Sequence, residues 1–589
     1  MPEVVQAVVE QGWAKTPTRV LGAAWELTWD KIVHLIFLPV LDATRPWQLR
    51  YTLGTGLLGV CQTAYRFETI QRTLSELAHA QLGTPLRYGL GRVWVKTLVG
   101  SERPLHLYID AHLKPHWTHI FMPCGHVAML NRVMPCTRQI MVTTPEGYVL
   151  EILDRVGDGH LSHDLPGIEQ ELERVTRHAV TLTIVDREAN SVELAQNYAH
   201  SDHFALLTLL DDSVAAGLVL GTPEAAQIFR LTGRWQSLTA EPGASLAPAV
   251  WGPARQDSED PRVFWLVRED ATDQLRAVYS LSQPVADCTP DVAVVLQGSG
   301  ARRVYTCPTA GAGRARWPAM EGGIREMVAG ANLNENYGYD SYEVPNRLRQ
   351  RQFAEAEALV GVTAKQLDHV QAQIAQTQTH LIERVETLTA QQAELAQGQI
   401  ERGAEQQARQ QAGQSTRRVE QQLAALEHQT HTLAERALRL SARAESGPLA
   451  KLNARCGELE AKLAERQTTL QTIDLTQPMF ERDLEKDQIM TDWQAALLNA
   501  HRWCGAHYFS GEWSRLELET ATARIYRQRG HVVYTDDQVT VTLAMFADRA
   551  EQGLAAAACL KFNAAQVQDA AGRLIVMGVA PFSNCVRQF

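Results

Sequence analysis

The sequence predicts an α/β core, and three observations carry that expectation. Leu105, Leu107 and Ile109 alternate with His106, Tyr108 and Asp110, the period-2 pattern of a half-buried strand, here ending on a carboxylate. Val180–Val185 (VTLTIV) is a near-continuous apolar run, as in a strand buried on both faces, and it too ends on a carboxylate, Asp186. Around these two runs, further strand patterns alternate with helical spacings. A carboxylate at a strand end either starts a turn or offers oxygens to a hard cation, because the sheet fixes the side chain while the next loop leaves one side open.

In chain order, strands are expected at Val127–Val133, Gln139–Thr143 and Tyr148–Leu153, the last two joined by a turn at Pro145-Glu146-Gly147. Ile168, Leu172 and Val175 recur at helical spacing. Asn190, with Glu193 three residues on, reads as the cap of a helix reaching about Tyr198, and Phe204–Leu210 reads as another strand. Hairpin strands, helix, central strand, helix, strand is the order of a ribonuclease H-like core. In that fold the first and fourth strands are neighbours, so Asp110 and Asp186 are expected to face one another.

The segments YIDAHLKP, IVDREANS and RWPAME resemble the three catalytic blocks of bacterial insertion-sequence DDE transposases, which read roughly YxDGHxKP, a strand ending in Asp-Arg, and RWxxEN. The resemblance spans about Leu105 to Asn346. It implies catalytic metal ligands at Asp110, Asp186 and Glu321, holding two Mg²⁺ (or Mn²⁺) ions. His112, Lys114, Arg187, Arg316 and Trp317 are the residues expected to contact DNA phosphates or a displaced end base. The implied activity is cutting and joining of double-stranded DNA at transposon ends, by a homodimer or higher oligomer in the bacterial cytoplasm on the nucleoid. The alternative is a catalytically silent or domesticated DNA-binding or assembly protein of the same fold. The chain departs from the family pattern at several points. Ala111 replaces a glycine, Pro-Cys-Gly-His stands at 123–126 where Pro-Lys-Gly-Tyr is common, Gly322 replaces the asparagine after Glu321, and Arg316 lies one residue further from that glutamate. Glu326 and Glu335 therefore remain open as the third ligand.

At 589 residues and 45% apolar, the chain has ample core for several domains. The longest apolar run, Ile32–Val40, contains His34 and Pro39 and is too short to span a membrane, and the first residues lack a leader layout, so neither insertion nor export is expected. Nine cysteines without a CxxC pair suit free thiols in a reducing compartment. The net charge of −11 excludes a protein that coats DNA by charge alone. Specific binding needs only local patches, and between Arg45 and Arg103 eight basic residues face three acidic ones.

Residues 1–104 read as an N-terminal helical domain for DNA binding or dimerisation: Phe67, Ile70, Leu74 and Leu77 form one apolar stripe, which suits a bundle packed on the core or a helix-turn-helix. The core is expected over 105–345 with a β-rich insertion at 222–315, where strand patterns occur at Phe229–Leu238, Val263–Arg268 and Leu275–Ser280. Residues 346–477 read as a long antiparallel coiled coil. Leu367, Ile374, Leu381, Leu388 and Leu395 fall every seven residues, as do Val419, Leu426, Leu433 and Leu440 after a break at Gly413. Residues 478–589 read as a small C-terminal α/β module. A competing chemistry is also visible: His112, His116, His119, Cys124 and His126, with Cys136 nearby, are zinc-type ligands without the tight paired spacing of structural zinc sites.

Overall fold

A computed structural model of the 589-residue chain describes residues 25–37, 65–98, 105–144, 147–185, 187–199, 205–210, 218–237, 243–255, 260–282, 295–298, 301–304, 322–509, 511–569 and 571–581. It is a mixed α/β molecule built on an eleven-stranded mixed sheet. Among the described residues no helix is long and apolar enough to cross a membrane.

Strand β1 (Leu105–Pro115) is the organising element. One side pairs antiparallel with β3 (Arg132–Thr143), and the other pairs parallel with β5 (Val180–Val185). β4 (Val149–Val156) flanks β3, and β6 (Ala205–Leu209) continues parallel to β5. The order β4-β3-β1-β5-β6 follows from the pattern: Leu105, Leu107 and Ile109 bury on one face, Tyr108 on the other, and Val180, Leu182, Ile184 and Val185 on both. Two expected strands, Val127–Val133 and Gln139–Thr143, are in fact a short β2 (Cys124–Val127), a left-handed turn at Asn131 (φ 46°), and the single twelve-residue β3. The apolar pattern breaks at Thr137, Arg138 and Gln139, but the strand does not, because these buried side chains reach His116, Asp164 and Asp154. The helix Val192–Ala199 is capped by Ser191, whose Oγ accepts the Leu194 N–H at 3.0 Å; Asn190, the expected cap, instead accepts from Arg262 Nη1 at 2.8 Å.

The expected insertion does not form a body apart. Its strands β7 (Phe229–Leu231), β8 (Gln236–Ser237), β9 (Ala244–Trp251), β10 (Val263–Glu269) and β11 (Leu275–Leu281) extend the same sheet, because β11 pairs antiparallel with the free edge of β6 (Tyr279 opposite Leu209). The glycine-rich stretch that ends the insertion lies mostly outside the described residues.

The largest difference concerns the C-terminal segment. The helix Glu485–His507 belongs to the core: Ile489, Met490, Trp493 and Leu497 pack with the Leu107 face of β1 and the helices Phe67–His79 and Gly83–Leu98, while Ala495 and Leu498 join the Tyr108 face. It serves both faces because it lies along the outer edge of β4. There Gln488 donates to Ile152 O at 2.7 Å and accepts the Asp154 N–H at 2.9 Å, and Asn499 donates to Val149 O at 2.6 Å and accepts the Val149 N–H at 2.7 Å. Eleven residues of helix and five of strand both span about 16 Å, so two side-chain amides serve one strand edge. These four edge groups are thus satisfied without a further strand. Further along the described C-terminal residues, Gly530–Tyr534, Gln538–Leu543 and Leu574–Val579 form a three-stranded sheet with the helix Arg549–Ala564.

Residues Val344–Met479 form a second compact unit. The helix Arg347–Gln411 returns as Arg417–Ser446 and Pro448–Gln471. Gln399 bonds to Thr430 Oγ1 at 3.0 Å and Arg466 to Leu359 O at 3.0 Å, so the return is antiparallel. The turn uses Gly413 at φ 67°, and Asn346 caps the long helix by accepting the Arg349 N–H.

Asn499→Leu should leave both polar groups of Val149 buried and unpaired. A loss on the order of 3 kcal/mol in chemical denaturation is expected, with the larger effect on the transition that melts the sheet.

Candidate active site

Asp110 is the sixth residue of β1 and half-buried, and the Ala111 N–H donates to its Oδ1 at 2.8 Å. Period-2 alternation puts Tyr108, His112 and Lys114 on the same face. The register beside it is defined by parallel pairs, Tyr108 with Ile184 and Ile109 with Val185. Asp186 and Glu321, the other two expected ligands, lie outside the described residues, as do Arg316 and Trp317; Arg187 begins a short 3₁₀ turn, Arg187–Ala189, and its side chain is not described.

Because β5 ends at Val185 while β1 runs on to Pro115, the second half of β1 takes other neighbours. His112 Nε2 lies 2.7 Å from Asn334 Oδ1, and Asn334 Nδ2 faces Met129 Sδ at 3.8 Å. With the amide oriented this way, Nε2 carries the imidazole proton and Nδ1 keeps its lone pair. Burial pushes the His112 pKa below the ordinary value, against the Asn334 bond, with Lys114 adding to the depression. Asn336 Nδ2 reaches Pro115 O at 3.4 Å, so Glu335 is carried between two residues that touch β1. Glu326 accepts from Arg502 at 3.2 Å, and both side chains are mostly buried, which gives this carboxylate a structural partner.

Lys114, expected to meet phosphate, is in the interior. Its Nζ donates to Asp487 Oδ1 at 2.7 Å, both side chains are 1% exposed, and the Tyr337 ring lies 5.8 Å from Nζ. Burial alone would raise the Asp487 pKa, but Lys114 and Arg482 together hold it below the usual carboxylate range. One step further, Arg482 Nη1 donates to His116 Nδ1 at 2.7 Å, so His116 Nε2–H donates to Thr137 Oγ1 at 2.6 Å. Burial and the Arg482 charge lower the His116 pKa to about 3, and the ring stays neutral. This use of His116 removes it from the zinc-type cluster. His119 and His126 are exposed, and Cys136 packs with Val127 and Met134. Among the described residues no three His, Cys, Asp or Glu side chains group to hold a metal ion.

Behind β1, Asp154 accepts from Gln139 Nε2 (2.9 Å) and Thr491 Oγ1 (3.1 Å), and burial raises its pKa to about 6. Asn334, Asn336, Arg482 and Asp487 are the site-lining residues that the sequence reading did not assign. Only the Asn334-Glu335-Asn336 run carried a local signal, whereas Arg482 and Asp487 reach β1 from more than 360 residues along the chain.

No family model and no curated protein matches the chain. Among solved structures, a piggyBac transposase synaptic complex with hairpin DNA is similar at a TM-score of 0.26 and 14% identity, over 55% of this chain. The chain spans about 64% of that one.

Two outcomes test this geometry. Lys114→Ala should cost about 3–5 kcal/mol of stability by stranding Asp487, and Lys114→Met with Asp487→Leu should recover most of it. Asp154 has a folded pKa above its unfolded value, so its contribution is present below about pH 4 and is lost as pH rises through about 6. Asp154→Asn should therefore gain on wild type between those pH values, by roughly 2–3 kcal/mol, in urea midpoints measured across pH.

Proposed function

We propose that the chain is a DDE-type DNA transposase with a ribonuclease H-like core, cutting and joining double-stranded DNA at element ends as the bacterial insertion-sequence enzymes do. The observation that supports this best is the β1–β5 register: Ile109 pairs in parallel with Val185, and Asp110 and Asp186 are the next residues of the two segments. Two carboxylates following paired residues of adjacent strands supply the oxygen donors that hard divalent cations take. Asp110 fits that use: one oxygen is fixed by the Ala111 N–H, and the strand sets its direction. In this reading Asp110, Asp186 and Glu321 hold Mg²⁺ or Mn²⁺, two ions per site, with Glu335 the competitor for third place. When bound, the ions would polarise the phosphodiester and favour ionisation of the attacking hydroxyl.

The chain's own groups then divide the remaining work. His112, neutral and fixed by Asn334, keeps an Nδ1 lone pair two residues from Asp110 and accepts a hydrogen bond from the incoming nucleophile or a substrate hydroxyl. Lys114 and Asp487 hold the strand that presents both groups. Arg187, Arg316 and Trp317 are assigned to the DNA. Residues 346–477 act as a coiled coil for assembly of a homodimer or higher oligomer on DNA, because Val419, Leu433 and Leu459 are its buried apolar side chains while Ile382, Val385, Ile400 and Leu438 stay exposed.

Asp110→Asn and Asp186→Asn should each lower Mg²⁺-dependent cleavage of end-bearing DNA by on the order of 10³-fold, with folding and DNA binding retained. Glu321→Gln should match them and Glu335→Gln should not; the reverse pattern moves the third ligand to Glu335. A wild-type chain that binds the ends and neither cuts nor joins under Mg²⁺ or Mn²⁺ would turn the reading to a silent DNA-binding relative.

A further inference from the structure

Arg482 is a buried cation with three of its five N–H donors unused. The residue is 9% exposed, and its Nη1 serves His116 Nδ1 at 2.7 Å and Asn336 Oδ1 at 3.1 Å. Its Nε and Nη2 are buried and have no hydrogen-bond partner. These two nitrogens form the side edge of the guanidinium, the edge whose parallel N–H groups fit a carboxylate or phosphate bidentately. Leaving such donors dry costs free energy that an anionic occupant would recover. The local charge asks for the same thing. Asp487 is bonded to Lys114, and Arg482, bonded to His116 and Asn336, has no carboxylate in salt-bridge contact among the described residues.

The surroundings select the class of anion. Tyr339, 76% exposed, lies over the Arg482 guanidinium with its ring centroid 5.2 Å from Cζ, and Trp117, next to His116, is 74% exposed. A single buried fork beside exposed aromatic rings suits a phosphate on a chain that also carries rings of its own, and fits an isolated small anion less well. His116, the residue after the end of β1, lies six residues from Asp110, roughly 20 Å of extended chain, or about six base pairs of duplex at 3.4 Å each.

We infer that the Nε–Nη2 edge of Arg482 is a phosphate site, taking one backbone phosphate of bound DNA about six base pairs from the bond at Asp110. Arg482 here is a binding residue, remote from the reacting atoms, and the inference rests on the proposed DNA substrate.

The test compares the full chain with Arg482→Gln and Arg482→Lys, binding a fluorescent 30-base-pair duplex across a salt series, with circular-dichroism melting as the folding control. Loss of one phosphate contact should reduce the log–log salt slope by about one in Arg482→Gln and weaken binding about tenfold. Arg482→Lys should recover part of the affinity, because it keeps the charge and loses the fork. An unchanged slope and affinity in folded Arg482→Gln would overturn the phosphate site while leaving the DNA reading intact. A second arm needs no variant and titrates inorganic phosphate against chloride at equal ionic strength while the melting temperature of the wild-type chain is followed. Phosphate-specific stabilisation, absent in either variant that folds, supports the anion site even if the wild type binds no duplex, in which case the DNA reading alone falls. No phosphate-specific stabilisation together with no duplex binding overturns both.

Discussion

The unequal length of two neighbouring strands governs this molecule. β1 and β5 run parallel only as far as Ile109 and Val185, and β1 then continues for six more residues without β5 beside it. A half-flanked strand in the interior must satisfy its backbone and side chains by other means. Here the 334–337 segment, Arg482 and the first turn of the Glu485–His507 helix do so, through Asn334, Asn336, Arg482 and Asp487. The candidate site lies where this change of neighbour occurs, so the same geometry that leaves Asp110 half-buried also fixes the groups around it.

The helix Glu485–His507 carries the second half of that constraint. It buries Trp493 and Leu498 completely and still brings Gln488, Thr491, Gln494 and Asn499 into the interior. Each of these finds a partner on β3, β4 or the 331–337 segment. Buried polar networks of this kind are costly when half-satisfied and rigidifying when complete. The described network is complete around Gln488 and Asn499, whereas Gln139, Asp487, Asp492, Gln494 and Arg482 each keep at least one buried polar atom without a hydrogen-bond partner.

Apolar periodicity made much of the core legible. Val180–Val185 is the observed β5, the Phe67, Ile70, Leu74 and Leu77 stripe faces the core, and the seven-residue leucine spacing lies on an antiparallel helical return. What the pattern could not reveal was partnered polarity. Thr137, Arg138 and Gln139 look like the end of a strand until His116, Asp164 and Asp154 are brought opposite them. Lys114 looks like a surface cation until Asp487, 373 residues away, is placed beside it. Likewise the Trp493 helix reads as part of a peripheral module, because the β4 edge it covers lies more than 330 residues earlier. The insertion strands follow the same logic: alternation identifies a strand, and only the free edge of β6 determines which sheet it joins.

Asp110 and Asp186 are proposed to serve one divalent-cation site at the end of the β1–β5 pairing. A crystal structure of the full chain grown with Mn²⁺, with the ions located by anomalous scattering, tests it most directly. Mn²⁺ is expected at about 2.0–2.3 Å from a carboxylate oxygen of each residue, coordination distances typical of hard divalent cations. Carboxylates more than about 8 Å apart, too far for cations that sit ~2 Å from their ligands, with Mn²⁺ bound elsewhere or absent, would contradict it.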